Sequence, residues 1–163
     1  MPDPGRSVVI NTTPLITLAV ATDGLEVLRL LYDRVIVPME VGQEILAAGN
    51  SAPGVGAFNN AHWIERMQVP QEIPAFLRNS LDKGEASVIQ AALHQEIARV
   101  CIDEKVGRRV ARLNGLVVTG SIGVLAKARQ RGFALDVDEA LARLRAHGIW
   151  IGKDVEQFFR REV

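Results

Sequence analysis

The sequence predicts an α/β fold of three layers, a mostly parallel central sheet with helices on both faces. Two observations carry this. Short apolar runs of β type alternate with amphipathic helical segments along the chain, the pattern made by strands joined through crossover helices. The core material also suits such a sheet. Hydrophobic residues make up 48% of the 163, aromatics only 5%, so Val, Leu, Ile and Ala must fill the space between helices and sheet.

Taken in order, Ser7-Val8-Val9-Ile10 is the first strand, stopping at the polar Asn11-Thr12-Thr13. Thr13 as N-cap and Pro14 at the first helical position open a helix, and Asp23 caps a second one carrying Leu25, Leu28 and Leu31. Val35-Ile36-Val37 is a strand, and Pro38 starts a helix with Val41, Ile45 and Leu46 on one face. Residues 49–60, rich in Gly, Asn and Pro, read as loop with one helical turn; residues 63–69 read as an edge strand. Asp82-Lys83-Gly84-Glu85 has capping-box spacing and opens a helix to about 94 or 95.

Arg99-Val100-Cys101-Ile102 is a strand ending at Asp103, and a basic helix over 105–113 closes on Asn114-Gly115. Leu116-Val117-Val118 is a strand running into Thr119-Gly120-Ser121, followed by a helix to Arg131 with Gly132 beyond. Residues 137–146 are helical. Ile149-Trp150-Ile151 reads as a late strand or packed turn before a final helix. No repeat or linker divides the chain, which predicts one domain over 1–163, with a core at 7–132 and a C-terminal helical extension at 133–163.

Lys plus Arg equal Asp plus Glu at 19 each, so any affinity for nucleic acid must come from a local patch or a bound cation. The single cysteine, Cys101, lies in an apolar strand and reads as a small core residue. No disulfide can form within the chain, and no signal peptide or membrane span is visible; the expectation is a soluble, cytoplasmic protein without a membrane partner. His62, His94 and His147 have no metal-ligand spacing, and Trp63 and Trp150 read as core or interface anchors.

Ligands of parallel α/β sheets bind beyond the carboxyl ends of the strands. Asn11, Asp103 and the Thr119-Gly120-Ser121 turn are therefore expected along one edge. Taken singly, Asp103 reads as the N-cap of the next helix, Glu85 as a capping-box acid, and Glu44, one turn after Glu40, as part of a solvated helix face. Taken together, Glu44, Glu85 and Asp103 supply the oxygen ligands that hard cations such as Mg²⁺ and Mn²⁺ prefer, and suit metal-assisted phosphodiester hydrolysis. Lys105, Arg108 and Arg109 beside Asp103 read as phosphate contacts, against the plainer reading of a solvated face. Ser121 at a helix start reads as a phosphate-holding group or a cap.

Five motifs in this order resemble the PIN-domain family. Val8-Val9-Ile10-Asn11-Thr12-Thr13-Pro14-Leu15-Ile16 is similar to its opening strand and helix. Val37-Pro38-Met39-Glu40-Val41-Gly42-Gln43-Glu44-Ile45 resembles its second motif, with the acid at Glu44, and Gly84-Glu85-Ala86-Ser87-Val88-Ile89 its third, with the acid at Glu85. Ile102-Asp103-Glu104-Lys105-Val106-Gly107-Arg108-Arg109 resembles the strand-end acid and basic helix. Gly115-Leu116-Val117-Val118-Thr119-Gly120-Ser121-Ile122-Gly123 resembles the next strand and turn of one uncharacterised prokaryotic branch.

The resemblance spans about 8–132. It implies a Mg²⁺- or Mn²⁺-dependent endoribonuclease acting on RNA, with Glu44, Glu85 and Asp103 as catalytic acids and Asn11 as a neutral fourth ligand. It implies further that the chain resembles toxins paired with a small antitoxin and acting as homodimers. Two positions depart from the family pattern: Asn11 stands where active members carry Asp, and Thr119-Gly120-Ser121 where many carry another acid. An amide lacks charge, so metal affinity should fall. The alternative is a catalytically impaired module that binds RNA or a protein partner. Receiver domains and haloacid-dehalogenase-like phosphatases need an Asp after the first strand, and dinucleotide binders a G-x-G-x-x-G; neither is present.

Overall fold

The computed structural model of the chain describes residues 6–161. Five strands form one sheet: β1 (Ser7–Ile10), β2 (Arg34–Val37), β3 (Glu65–Arg66), β4 (Arg99–Cys101) and β5 (Val117–Thr119). Their order is β3-β2-β1-β4-β5, and every pairing is parallel. Crossovers are helical. Helices α1 (Thr12–Thr22) and α2 (Val27–Leu31) join β1 to β2, while α3 (Met39–Ala47) and α4 (Val55–Asn60) join β2 to β3. Helices α5 (Ala75–Arg78) and α6 (Lys83–His94) lead to β4, α7 (Lys105–Leu113) leads to β5, and α8 (Ser121–Gln130), α9 (Val137–Ala146) and α10 (Lys153–Arg161) follow.

All four residues of β1 are buried, as expected of a central strand covered on both faces. One group of helices, α1, α2, α8, α9 and α10, packs together, and so does a second, α3, α5, α6 and α7. The three-layer α/β/α arrangement predicted by the alternation is the one observed. Cys101 is fully buried, as a core cysteine should be.

Four local expectations change. Asp23 does not cap α2: it ends α1 in the left-handed region at φ 56°, a conformation a short polar side chain tolerates, and α2 begins only at Val27. Helix α1 starts at Thr12 with Asn11 as its N-cap residue, leaving Pro14 in the first turn, where its missing N–H costs nothing. The edge strand shrinks to two residues, because β3 has a neighbour on one side only and Pro70 and Pro74 follow. Residues 149–152 form no strand.

The C-terminal helices share the core. Helix α9 lies on α1 and α10 on α8, and Ala140, Leu141, Leu144 and Phe159 belong to the same apolar cluster as the strands. Ion pairs from Arg160 to Asp138 at 2.7 Å and from Arg145 to Glu156 at 3.1 Å tie α9 to α10 at the surface. The ends of the predicted 1–163 unit, residues 1–5 and 162–163, lie outside the described residues. No helix among the described residues is long and apolar enough to cross a membrane.

The topology positions the site. Central β1 sends the chain to β2 on one side, while β4 and β5 lie on the other, so the strand order reverses between β1 and β4. A crevice opens at such a reversal, beyond the carboxyl ends. The register Ile10↔Cys101 and Cys101↔Thr119 brings Asn11, Asp103 and Gly120 to that edge, as predicted.

Candidate metal centre and adjoining cleft

Asn11 leaves β1 at the crevice. Its side chain is 5% exposed, and its Oδ1 has no hydrogen-bond partner among the described residues. An unpaired buried carbonyl oxygen costs about 1–3 kcal/mol, a cost that a ligand at that oxygen would offset.

Helix α3 packs on α6 and brings Glu44 to the same place. Glu44 is exposed, but it is not a free surface acid: its Oε2 accepts a 3.0 Å hydrogen bond from the Thr12 hydroxyl. The buried acid of that helix is Glu40, which accepts the Gln71 backbone N–H at 3.1 Å and anchors the segment before α5. Gly84, in the first turn of α6, forms the floor. A Cβ there would stand 2.8 Å from Glu44 Oε2, 3.1 Å from Asn11 Oδ1 and 3.6 Å from Asp82 Oδ1. Three oxygens face a surface that only glycine leaves open.

Glu85 follows, 5% exposed. Its backbone N–H donates to Asp82 Oδ1 at 2.9 Å, so Asp82 caps α6 as the spacing predicted. The carboxyl carbon lies 3.2 Å from the position of a Cβ on Gly107, which lets α7 come close. Burial raises the Glu85 carboxyl most, the charges of Asp82 and Glu104 add to this, a backbone hydrogen bond at Asp82 opposes it, and Glu44 adds a little more; the result is about 7 instead of 4.5. The folded state thus holds a proton between about 4.5 and 7 that the unfolded chain has lost, so this group's stabilisation falls as pH rises through that window. In metal-free buffer the melting temperature should decline from pH 4.5 to 7 more steeply than in Glu85→Gln. Parallel profiles for the two proteins would place the Glu85 carboxyl in water.

Asp103 is engaged elsewhere. Its two carboxylate oxygens accept the Ser121 backbone N–H at 2.7 Å and the Ser121 hydroxyl at 2.8 Å. It therefore caps α8 rather than α7, because the α8 N-terminus presents unsatisfied N–H groups at the end of the neighbouring strand. The phosphate-holding reading of Ser121 changes with it: Ser121 is 3% exposed and both its donors are taken by Asp103. Arg108 Nη1 donates to the Ile102 carbonyl at 2.9 Å and lies over Gly120, where a Cβ would meet it at 2.6 Å and Asp103 Oδ1 at 2.9 Å. Lys105 and Arg109 are exposed.

Of the four predicted ligands, Asn11 and Glu44 converge, Glu85 is the next residue beyond their shared floor, and Asp103 is tied to α8. Among the described residues no three His, Cys, Asp or Glu side chains stand close enough to hold one ion. The cradle fits a hard cation that keeps most of its water and takes one or two protein oxygens plus phosphate, as Mg²⁺ does. Sequence reasoning missed two acids whose charges act on Glu85, Asp82 and Glu104. Asp82 was visible only as a cap, and Glu104 was masked by its neighbour Asp103.

A cleft of about 780 Å³ opens beside Asp103. Thr13, Lys105 and Arg108 line it near Asp103, and residues 149–158 supply the opposite wall. Trp150, expected in a core or interface, is 84% exposed in this wall.

A sequence model of a family described as a PIN domain matches residues 7–163. No curated protein and no solved structure matches the chain. The match starts at β1 and includes all five strands and the C-terminal helices packed on α1 and α8. The chain belongs to the PIN-domain family.

Proposed function

We propose that the protein is a metal-dependent endoribonuclease, hydrolysing RNA phosphodiesters with Mg²⁺ or Mn²⁺ held at the Asn11–Glu44 cradle. Family membership points in general to nuclease chemistry and to dependence on a divalent metal. The observation that carries the finer reading is the buried, unpartnered Asn11 Oδ1 facing Glu44 across Gly84.

Asn11 and Glu44 would hold the ion, with Thr12 orienting the Glu44 carboxylate. The bound ion would supply charge neutralisation at the phosphoryl oxygens and acidify water. Glu85, the next residue beyond the cradle floor, would take a proton from the attacking water. Lys105, Arg108 and Arg109 supply positive charge for the flanking phosphates. Asp103 acts as a positioning residue, fixing the α8 N-terminus at Ser121. By analogy with similar proteins, we place the chain as a cytoplasmic toxin, active as a homodimer and held in check by a small protein antitoxin.

A second reading has its own observation. An uncharged amide stands at the first ligand position, which favours an impaired module that binds RNA or a protein partner. Calorimetric titration of Mn²⁺ and Mg²⁺, paired with cleavage of structured and unstructured RNA, separates the two. The nuclease reading expects native binding, tightened about 10- to 100-fold in Asn11→Asp, and cleavage that follows metal occupancy. Binding and cleavage seen only after Asn11→Asp would establish the impaired module. Absence of both in either protein would sink the hydrolytic reading.

A further inference from the structure

Helix α7 carries two parallel stripes on its outer surface. Lys105, Arg109 and Arg112 stand at i, i+4 and i+7, and all three are exposed. Val106, Val110 and Leu113 repeat the same spacing one residue on. Val106 and Leu113 are 58% and 77% exposed, while Val110 between them packs on the core. Gly107 and Ala111 take the buried side of the helix. Each stripe is about 10 Å long, the rise of seven helical residues.

The charges of this helix oppose its own stability. Lys105 and Arg109 are a like-charge pair at i, i+4, and Arg109 and Arg112 one at i, i+3. Lys105 also sits in the first turn, where the helix dipole disfavours a cation. Elsewhere on the surface Arg34, Arg143 and Arg160 are paired with carboxylates. Among the described residues no acid pairs with Lys105, Arg109 or Arg112, the neighbouring Glu104 included. Such a column of unmatched cations is complementary to acids supplied from outside the chain.

The occupant must match both stripes. A second copy related by a two-fold axis would set these cations against themselves. RNA would use the cations alone, because valine and leucine offer no ring for a base to stack on. A lipid surface calls for a helix that buries a whole apolar face with aromatic or large residues, and α7 has three aliphatic ones, the middle of them already packed inward. A helix bearing a column of Asp or Glu beside a column of apolar residues matches both stripes.

We infer that the outer face of α7 is a docking surface for an acidic amphipathic helix of a partner protein. Val106 and Leu113 take its apolar column, and Lys105, Arg109 and Arg112 its acids. Docking covers Lys105 and Arg109, two of the cations offered above to RNA phosphates, so the partner excludes RNA from them; only that exclusion rests on the ribonuclease reading.

The probe is a dye-labelled synthetic helical peptide of about three heptads, with leucine at a and d and glutamate at e and g. It is titrated against the full chain and read by fluorescence anisotropy. Native protein should bind it saturably, and more weakly as salt rises. Leu113→Ser and Arg112→Glu should each lower the affinity about 5-fold or more, while melting as native protein does, since both positions are exposed. A peptide with lysine for glutamate should prefer Arg112→Glu to native protein. The acidic peptide should also displace short oligouridylate, bound with Ca²⁺ in place of Mg²⁺ so that nothing is cut.

No saturable binding, affinity of Leu113→Ser within twofold of native, or equal binding of a peptide with glutamine for glutamate would each overturn the docking surface. Three results without peptide binding would overturn it by reassigning the face. Leu113-dependent recruitment to vesicles of phosphatidylcholine and phosphatidylserine would assign it to lipid, loss of a dimer in Leu113→Ser to a contact between copies, and weaker oligouridylate binding in Arg112→Glu to RNA. Peptide binding by a protein that binds no RNA would keep the docking surface and count against the ribonuclease reading. RNA cleavage without peptide binding would do the reverse.

Discussion

Replacing Gly84 with alanine is expected to weaken divalent-metal binding at least about 10-fold while leaving the melting temperature unchanged or slightly higher. The added methyl would enter the space between Glu44 Oε2, at 2.8 Å, and Asn11 Oδ1, at 3.1 Å. Asn11 is buried on the end of β1 and cannot retreat; the Glu44 carboxylate is the tip of an exposed, flexible chain and can. The cradle should therefore open by displacement of Glu44, with a loss in metal affinity of about 10- to 100-fold or more, as when an oriented ligand group is removed. Gly84 lies within α6 at a helical position, where alanine is favoured by about 0.5–1 kcal/mol, so the fold should not suffer. Calorimetry and thermal melting on the same preparation check both halves. Native-like metal affinity in Gly84→Ala would move the metal away from Asn11 and Glu44. A large fall in melting temperature would show that the glycine serves packing instead.

The second large effect concerns the C-terminal helices. Phe159 is fully buried on α10, which packs on α8, the helix whose N-terminus holds Asp103 through Ser121. Phe159→Ala should cost about 3–5 kcal/mol, which in a chain of 163 residues is a fall of about 10 °C in melting temperature. The wall of the cleft should loosen with it, because Val155 and Phe158 ride on the same helix. An unchanged melting temperature would mean that α10 contributes little to the core and that the region after residue 132 is an appendage to it.

The comparison of Asp103 with Glu44 shows why acids are hard to assign from a sequence. Asp103 directly follows a strand and read there, taken singly, as the N-cap of the next helix, yet its carboxylate accepts both donors of Ser121 eighteen residues later, at the start of α8. Glu44, one turn after another acid, read as part of a solvated helix face, yet it and the orphaned oxygen of Asn11 both face Gly84. A carboxylate next to free helix N–H groups finds partners within its own fold. Glu44, across from an amide oxygen, accepts a single hydrogen bond from Thr12 and keeps acceptor capacity for a cation.

The sequence by itself determined the elements and their order. Short continuous apolar runs and helical stripes of period 3.6 are local consequences of which faces must be buried, and caps such as Asp82 and turns such as Asn114-Gly115 are local as well. Alternation of strand and helix then left a parallel sheet as the arrangement that buries every apolar face. Only the tertiary structure decided which side chains meet. The α3–α6 packing set Glu44 over Gly84 across forty residues of chain, the close approach of α7 at Gly107 buried Glu85, and the 149–152 segment turned Trp150 outward into the cleft. These depend on helix-to-helix distances of a few ångströms, which hydrophobic periodicity does not encode, because it states that a face is buried and not against what.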